Sequence, residues 1–479
     1  MKSRSGNDGA SRAHLALARR RIAVIGNYGN RNLGDEATLA SLLQFLKRQY
    51  PQAAVCALSE RPEETRRRHG IEAAPSIPRK SADRPASPSE GVAGRPAVPK
   101  IEKRPSALKA TLKRVRPLYL VLRTLAQGAS AASTLARGLR FAVRGFTLLR
   151  GKELLIIAGG GQLSDHFSGV RGFPVQLFTW CLLARGAGAK VIVLNVGAGP
   201  IRGRASRLLF RWTLRLVAYR SFRDERSRRL IGEIGVPDPG PVAPDLVFSW
   251  VPSGEPAERP GGTAAGRTVG LNVFPFRDGR YWSMPDETAY RAYLQTISRF
   301  ILWLLDEGYR VRLYPTQLKA DARVIADVRQ RLDEMVPAGA AERLEVPRIE
   351  TVDELAAVAR DADVIVATRF HAIVMAMLAG KPILALCNES KMADLMADMG
   401  QARHCLSLEG LELDVLKSGF VALESVADQA AGEVRERVAQ ARARLDRQLE
   451  AVFGELLGRS ISRASVEHDG GAERLGLSR

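Results

Sequence analysis

Acidic residues are scarce in the first third of this 479-residue chain, and that scarcity accounts for nearly all of its net charge of +21. Residues 1–150 hold 29 lysines and arginines against 10 aspartates and glutamates, whereas the remaining 329 hold 43 against 41. Whatever chemistry the later part performs, it performs on a nearly neutral scaffold. Cysteine is scarce as well. Cys56, Cys181, Cys387 and Cys405 are scattered without a CxxC or metal-type spacing, which excludes a zinc module and gives buried free thiols in a reducing compartment as the expectation. No run of about 18 uncharged apolar residues occurs, so no membrane-spanning helix is expected. The apolar stretch Leu15 to Ala18 is too short for the core of a secretory signal. The chain therefore reads as cytoplasmic. It also has neither a GxGxxG fingerprint nor a Walker A loop, so neither NAD nor ATP follows, and no cofactor or metal is expected.

What is present is an alternation of buried-type strands and helices, which argues for α/β domains with parallel sheets. Residues 1–19 read as a disordered leader and 20–250 as a first Rossmann-like domain. Within it, Arg21 to Gly26 is a strand, a helix runs from about Asp35 to Tyr50, and Ala53 to Leu58 is the next strand. A basic insertion at 73–150 interrupts the pattern. Its first part, 73–108, is rich in Pro, Ser, Lys and Arg and reads as flexible. Its second part carries Leu112, Val115, Leu118, Val121, Leu122 and Leu125 at helical spacing. From 100 to 150 there are twelve lysines and arginines and one acid, Glu102. Two readings stand open for it: a helical excursion with a solvated basic face, or peripheral contact with an anionic membrane. Aromatic residues there are sparse and no recognised motif for specific nucleic acid appears. Residues 251–266 form a linker, 267–422 a second Rossmann-like domain, 423–458 a C-terminal helix, and 459–479 a disordered tail. The expected architecture is two Rossmann-like domains facing across a cleft.

The stretch TRFHAIVMAMLAGKPILALCNESK, residues 368–391, concentrates the chemistry. A strand ending at Ala367 delivers Arg369 and His371 to a sheet edge, and Lys391 follows in the first turn of a later helix. A cation is unfavourable at a helix N-terminus unless an anion faces it, so Lys391 points to an anionic ligand. The segment SFRDERS puts Arg223 at another strand end, either as a fixed fork for a carboxylate or phosphate or as a clamp on Asp224 or Asp245. Three glycine corners follow strands: GNYGNRNLGDE with Asn32 and Asp35, AGGGQLSD with Gly159, Gly160 and Gly161, and NVGAGP with Gly199. Glycines there let backbone approach a ligand at the edge where open α/β sheets bind. Asp35 and Glu36 have a capping reading beside contact with a sugar hydroxyl.

Taken in order, NYGNRNLGDEATL, IIAGGGQLSD, NVGAGP, YRSFRDERSRRLIGEIGV, APDLVF and TRFHAIVMAMLAGKPILAL with Lys391 resemble the polysaccharide pyruvyl transferase family. The resemblance implies a two-domain fold like that of the GT-B glycosyltransferases. It also implies transfer of pyruvate from phosphoenolpyruvate, as co-substrate, onto a sugar as a ketal. By position it makes His371 the acid/base and Arg223, Lys391 and Arg369 donor-binding, with Asp35 carried over from the GD motif. The implied acceptor is a glycan or a lipid-linked oligosaccharide. Two other classes are weighed against it: a GT-B glycosyltransferase using a nucleotide sugar, and a non-enzymatic basic scaffold on membrane or RNA.

Overall fold

The structure is a computed structural model that describes residues 20–78, 134–166, 168–252, 266–282, 284–335 and 341–458. The leader, the tail, the body of the linker and most of the basic insertion lie outside the described residues.

Short apolar segments form the strands, several of them buried on both faces, as in LLIIA at Leu154–Ala158. That pattern suits a parallel sheet covered on both sides. The first sheet comprises β1 (Arg21–Ile25), β2 (Ala54–Ser59), β3 (Glu72–Pro75), β4 (Leu154–Ala158), β5 (Lys190–Val196) and β6 (Tyr219–Phe222), in the order 3-2-1-4-5-6. The second comprises β7 (Thr268–Asn272), β8 (Arg310–Tyr314), β9 (Leu344–Glu345), β10 (Val364–Ala367), β11 (Ile383–Cys387) and β12 (Cys405–Ser407), in the order 12-11-10-7-8-9. Read from the opposite edge, the second order repeats the first, and every pairing in both sheets is parallel. Each sheet reverses its strand order once, between β1 and β4 and between β7 and β10. Loops leaving the strands there open onto a crevice, the usual ligand site of such sheets. The expectation of two Rossmann-like domains is met.

The domains meet along a seam. Leu33 N–H donates to the carbonyl of Thr316 at 2.9 Å, and Leu318 N–H donates to the carbonyl of Arg31 at 2.9 Å. One continuous apolar cluster joins Ile22 and Phe45 of the first domain, Ile365 and Ile373 of the second, and Leu445 and Phe453 of the C-terminal helix Ala427–Leu457. That helix returns across the first sheet. Its Gln448 exchanges hydrogen bonds with Asn195 at 2.9 and 3.0 Å, and Phe453 lies 5.1 Å from Phe45.

Two expectations need correction. The proline-rich stretch beginning at 73 is not wholly irregular, because Glu72–Pro75 pairs with β2 as the sheet's edge strand. An edge position tolerates Pro75, since one side of the strand needs no partner. Free thiols hold only for Cys56 and Cys181, both buried. Cys387 and Cys405 are joined in a disulfide with Cα atoms 6.4 Å apart. Eighteen residues separate them, but β11 and β12 are parallel neighbours, and the sheet brings the two sulfurs together.

Candidate functional site

Arg223 leaves the end of β6 with its side chain 5% exposed. Nη1 donates to Asp245 at 3.2 Å, and Nε lies 3.4 Å from Asp224 without hydrogen-bonding to it. Both partners foreseen for a clamp are therefore in place, while one buried N–H remains unspent. The guanidinium stacks 4.2 Å over the ring of Phe370 in the second domain. Room for it comes from Gly197, where a β-carbon would lie 2.7 Å from Nε.

Lys391 stands in the first turn of the helix Ser390–Asp398 and pairs with Glu389 at 2.7 Å. Burial pushes the Glu389 carboxyl up, but Lys391 wins and holds it below the usual range. Arg223, Asp245, Phe370 and Lys391 line a cavity of about 330 Å³, together with Arg437 and Arg444 of the C-terminal helix. Neither arginine of that helix was a sequence candidate. Their exposed positions on a charged amphipathic helix gave no reason to select them.

His371 does not line this cavity. It sits one residue into the helix Phe370–Leu378, ring edge toward Phe370 at 5.2 Å between centroids. Its Nε2 is buried without a hydrogen-bond partner among the described residues. Burial first, then Arg223, Lys391 and Arg369 against the opposing pull of Asp245, together lower its pKa to about 4. The imidazole is thus neutral at pH 7 and surrounded by cations from both sheets. Packed against it is Gly34 of the first domain.

Asp35 follows Gly34 in the first helix, Leu33–Gln49, and is 6% exposed. Asn27 donates to its Oδ2 at 2.9 Å, and Oδ1 lies 3.3 Å from where a β-carbon on Gly160 would be. Burial and then the neighbouring Glu36 raise its pKa to about 7. Glu36 itself is taken up elsewhere, accepting from Gly29 N–H and meeting His69, each at 2.8 Å. Asn32 caps the helix, its Oδ1 accepting from Gly34 N–H at 3.1 Å.

The remaining sequence candidates divide. Gly160 faces Asp35, and Gly159 turns at φ +53° against Thr38. Gly161 has open space beside it. Gly199, at φ +103°, packs against Leu230, a role in the fold. Arg369 stands at the N-cap position of the helix of His371 and is committed to Asp321 (Nε to Oδ1 3.1 Å), stacking 4.4 Å from Phe274. Asp321 also accepts from the N–H groups of Thr316 and Gln317 at 3.0 and 2.9 Å. Arg369 therefore anchors the seam loop and adds its charge to the field at His371. Among the described residues, no group of three or more His, Cys, Asp or Glu side chains is placed to hold a metal. No described helix is long and apolar enough to cross a membrane.

The family model described as polysaccharide pyruvyl transferase matches residues 32–390. No curated protein matches the chain at a significant level. Among solved structures it is similar to S. aureus MnaA with UDP at 9% identity and TM-score 0.48, over 92% of this chain and 97% of that one. UDP-GlcNAc 2-epimerase from Neisseria meningitidis, bound to UDP-GlcNAc, is similar at 11% identity and TM-score 0.48, over 91% and 99%. A glycosyltransferase from Rickettsia africae is similar at 9% identity and TM-score 0.47, over 92% and 100%.

Proposed function

The chain belongs to the polysaccharide pyruvyl transferase family, and on that premise we propose that it moves pyruvate from phosphoenolpyruvate onto a sugar of a surface or extracellular polysaccharide, or its lipid-linked precursor, as a ketal. The observation that carries this reading is the cavity into which Arg223 of one sheet and Lys391 of the other both project. A small ligand carrying a carboxylate and a phosphate gives two fixed cations a partner each.

The donor needs a proton at its methylene carbon, C3, before C2 becomes electrophilic. Asp35, half protonated near pH 7, is suited to give it. A first sugar hydroxyl then attacks C2, and His371, one residue beyond Phe370 of the cavity wall, neutral and with an unpartnered Nε2, is assigned to take its proton. A second hydroxyl attacks as the bond from C2 to the phosphate oxygen breaks. One hydroxyl proton leaves with the phosphate and the other restores Asp35, so the sum is one ketal and one hydrogen phosphate. Arg223 and Lys391 hold the departing charge. Arg369 supports the reading from the N-cap position of the helix that carries His371. No cofactor takes part in this scheme, and phosphoenolpyruvate as the donor favours work on the cytoplasmic side of the membrane.

The test is phosphate release from phosphoenolpyruvate by the purified chain with an oligosaccharide acceptor, with the product mass raised by a pyruvate ketal. A thermal shift with UDP- or GDP-sugars and none with phosphoenolpyruvate would favour a glycosyltransferase instead.

A further inference from the structure

Three helices cover the face of the first sheet opposite the one that packs on the C-terminal helix: 134–149, Phe173–Gly186 and Arg204–Arg215. Inward they supply Leu149, Leu177 and Phe210 to an apolar cluster with Ala23 and Ile25 of β1. They are locked side by side, with Phe141 5.5 Å from Trp180 and Phe178 5.9 Å from Trp212. Outward they look unlike the rest of the surface. Of the fifteen large apolar side chains exposed among the described residues, eight lie on these helices. Leu135, Leu139 and Val143, spaced by four, are 75%, 65% and 58% exposed, and Leu182, Leu208 and Trp212 continue the patch.

The charge on this face has one sign. None of the three helices contains an aspartate or glutamate. Arg140, Arg144, Arg185, Arg204 and Arg215 stand exposed between the apolar groups and pair with no carboxylate among the described residues. Exposed apolar side chains interleaved with arginines are the composition of a surface that lies in a membrane interface. A second copy of the same face is a poor partner, because uncompensated arginines would meet arginines. A purely electrostatic partner leaves the leucines and Trp212 unexplained.

We propose that this three-helix face docks the protein on an anionic lipid surface, arginines at the headgroups and the leucines and Trp212 entering the acyl boundary. The site is separate from the interdomain cavity, and the proposal stands or falls independently of the reaction assigned there.

The test is co-sedimentation of the full chain with vesicles of phosphatidylglycerol and phosphatidylcholine in equal parts, and with phosphatidylcholine alone. Binding to the first and not the second, weakening as salt rises, is expected. Near such a surface each arginine is worth about 1 kcal/mol, so the triple variant Arg140→Gln, Arg144→Gln, Arg185→Gln should lose about a hundred-fold in vesicle affinity. A second triple variant, Leu135→Ser, Leu139→Ser, Val143→Ser, keeps every charge and should also bind markedly less. These positions are exposed, so an unchanged melting temperature is expected for both. Absence of binding by the parent chain overturns the proposal. So does full binding by the serine variant, which would make the face a plain cationic surface, and so does displacement of the chain from vesicles by RNA.

Discussion

A β-carbon added to Gly34 of the first domain would overlap the imidazole of His371 in the second, reaching Nδ1, Cγ and the side chain's own Cβ. The contact is with the root of the histidine side chain, so rotation of the ring does not relieve it. Position 34 is helical, where alanine is favoured over glycine by roughly 1 kcal/mol. Gly34→Ala should therefore leave the helix intact, yet displace His371 or part the seam. Turnover should fall by ~10²–10⁴-fold, the range of a lost acid/base, in a phosphate-release assay. The double variant Gly34→Ala, His371→Ala should melt higher than Gly34→Ala alone, because removing the ring removes the overlap. Additive losses of stability would show that the contact does not govern the site.

Asp35 sets stability against function. Its native pKa of about 7 lies above the ordinary aspartate value of 3.8, so the folded state holds the proton more tightly. Below the lower value both states are protonated and nothing is lost. As pH rises from about 4 to about 7, folding must retain or give up a proton that the unfolded chain releases freely, and stability falls. A shift of this size corresponds to about 4 kcal/mol above pH 7. Asp35→Asn should raise the melting temperature at pH 8 and change it little at pH 4, while lowering turnover at both. Equal melting shifts at the two pH values would argue against a raised pKa.

Arg223 and Lys391 are expected to separate by stability. Replacing Arg223 with alanine strands Asp245, whose side chain is 2% exposed, and loss of one member of a buried pair typically costs about 3–5 kcal/mol. Lys391 is a third exposed and pairs with a half-exposed partner, so Lys391→Ala should fold nearly as the parent does. Both should raise the KM for phosphoenolpyruvate. A normal KM in Lys391→Ala would remove that residue from the donor site without any ambiguity from folding.

Binding of phosphoenolpyruvate should draw a proton from solution. His371 is held at about 4 by burial and by the charges of Arg223, Lys391 and Arg369, against Asp245. An anionic ligand between Arg223 and Lys391 offsets part of that field and raises the histidine pKa. Between the free and bound values, affinity should fall as pH rises. Calorimetry at pH 6 in buffers of different ionisation enthalpy measures the uptake, and His371→Asn should take up less than the parent. Equal uptake would place the proton on the ligand or elsewhere.

Much of this site was legible from residues. A strand's end followed by Arg or His is visible in any sequence, and Arg223, Arg369, His371 and Lys391 all lie at or just beyond such corners. What they touch was less accessible. Arg369 and Arg223 have the same one-dimensional signature, yet one is committed to Asp321 and the other keeps a free N–H over a cavity. Local pattern carries no information about which carboxylate arrives from a distant loop. Gly34 and Gly197 were hidden for a related reason, since their value lies in what another segment places beside them. Cys387 and Cys405 show it again, because their pairing depends on sheet order. Phe370 reads as an apolar helix residue, and only the facing arginine gives it a second role.

The returning helix also has a consequence for how the chain is made. Residues of the first sheet are synthesised early, but Phe45 finds Phe453, and Asn195 finds Gln448, only after more than two hundred further residues have left the ribosome. Until then the first domain exposes the apolar strip that Leu445, Leu449 and Phe453 later cover. The first domain therefore completes that face of its core only when the last helix arrives. The nascent first half needs protection, from a chaperone or from its own arginines, while it waits for its last helix.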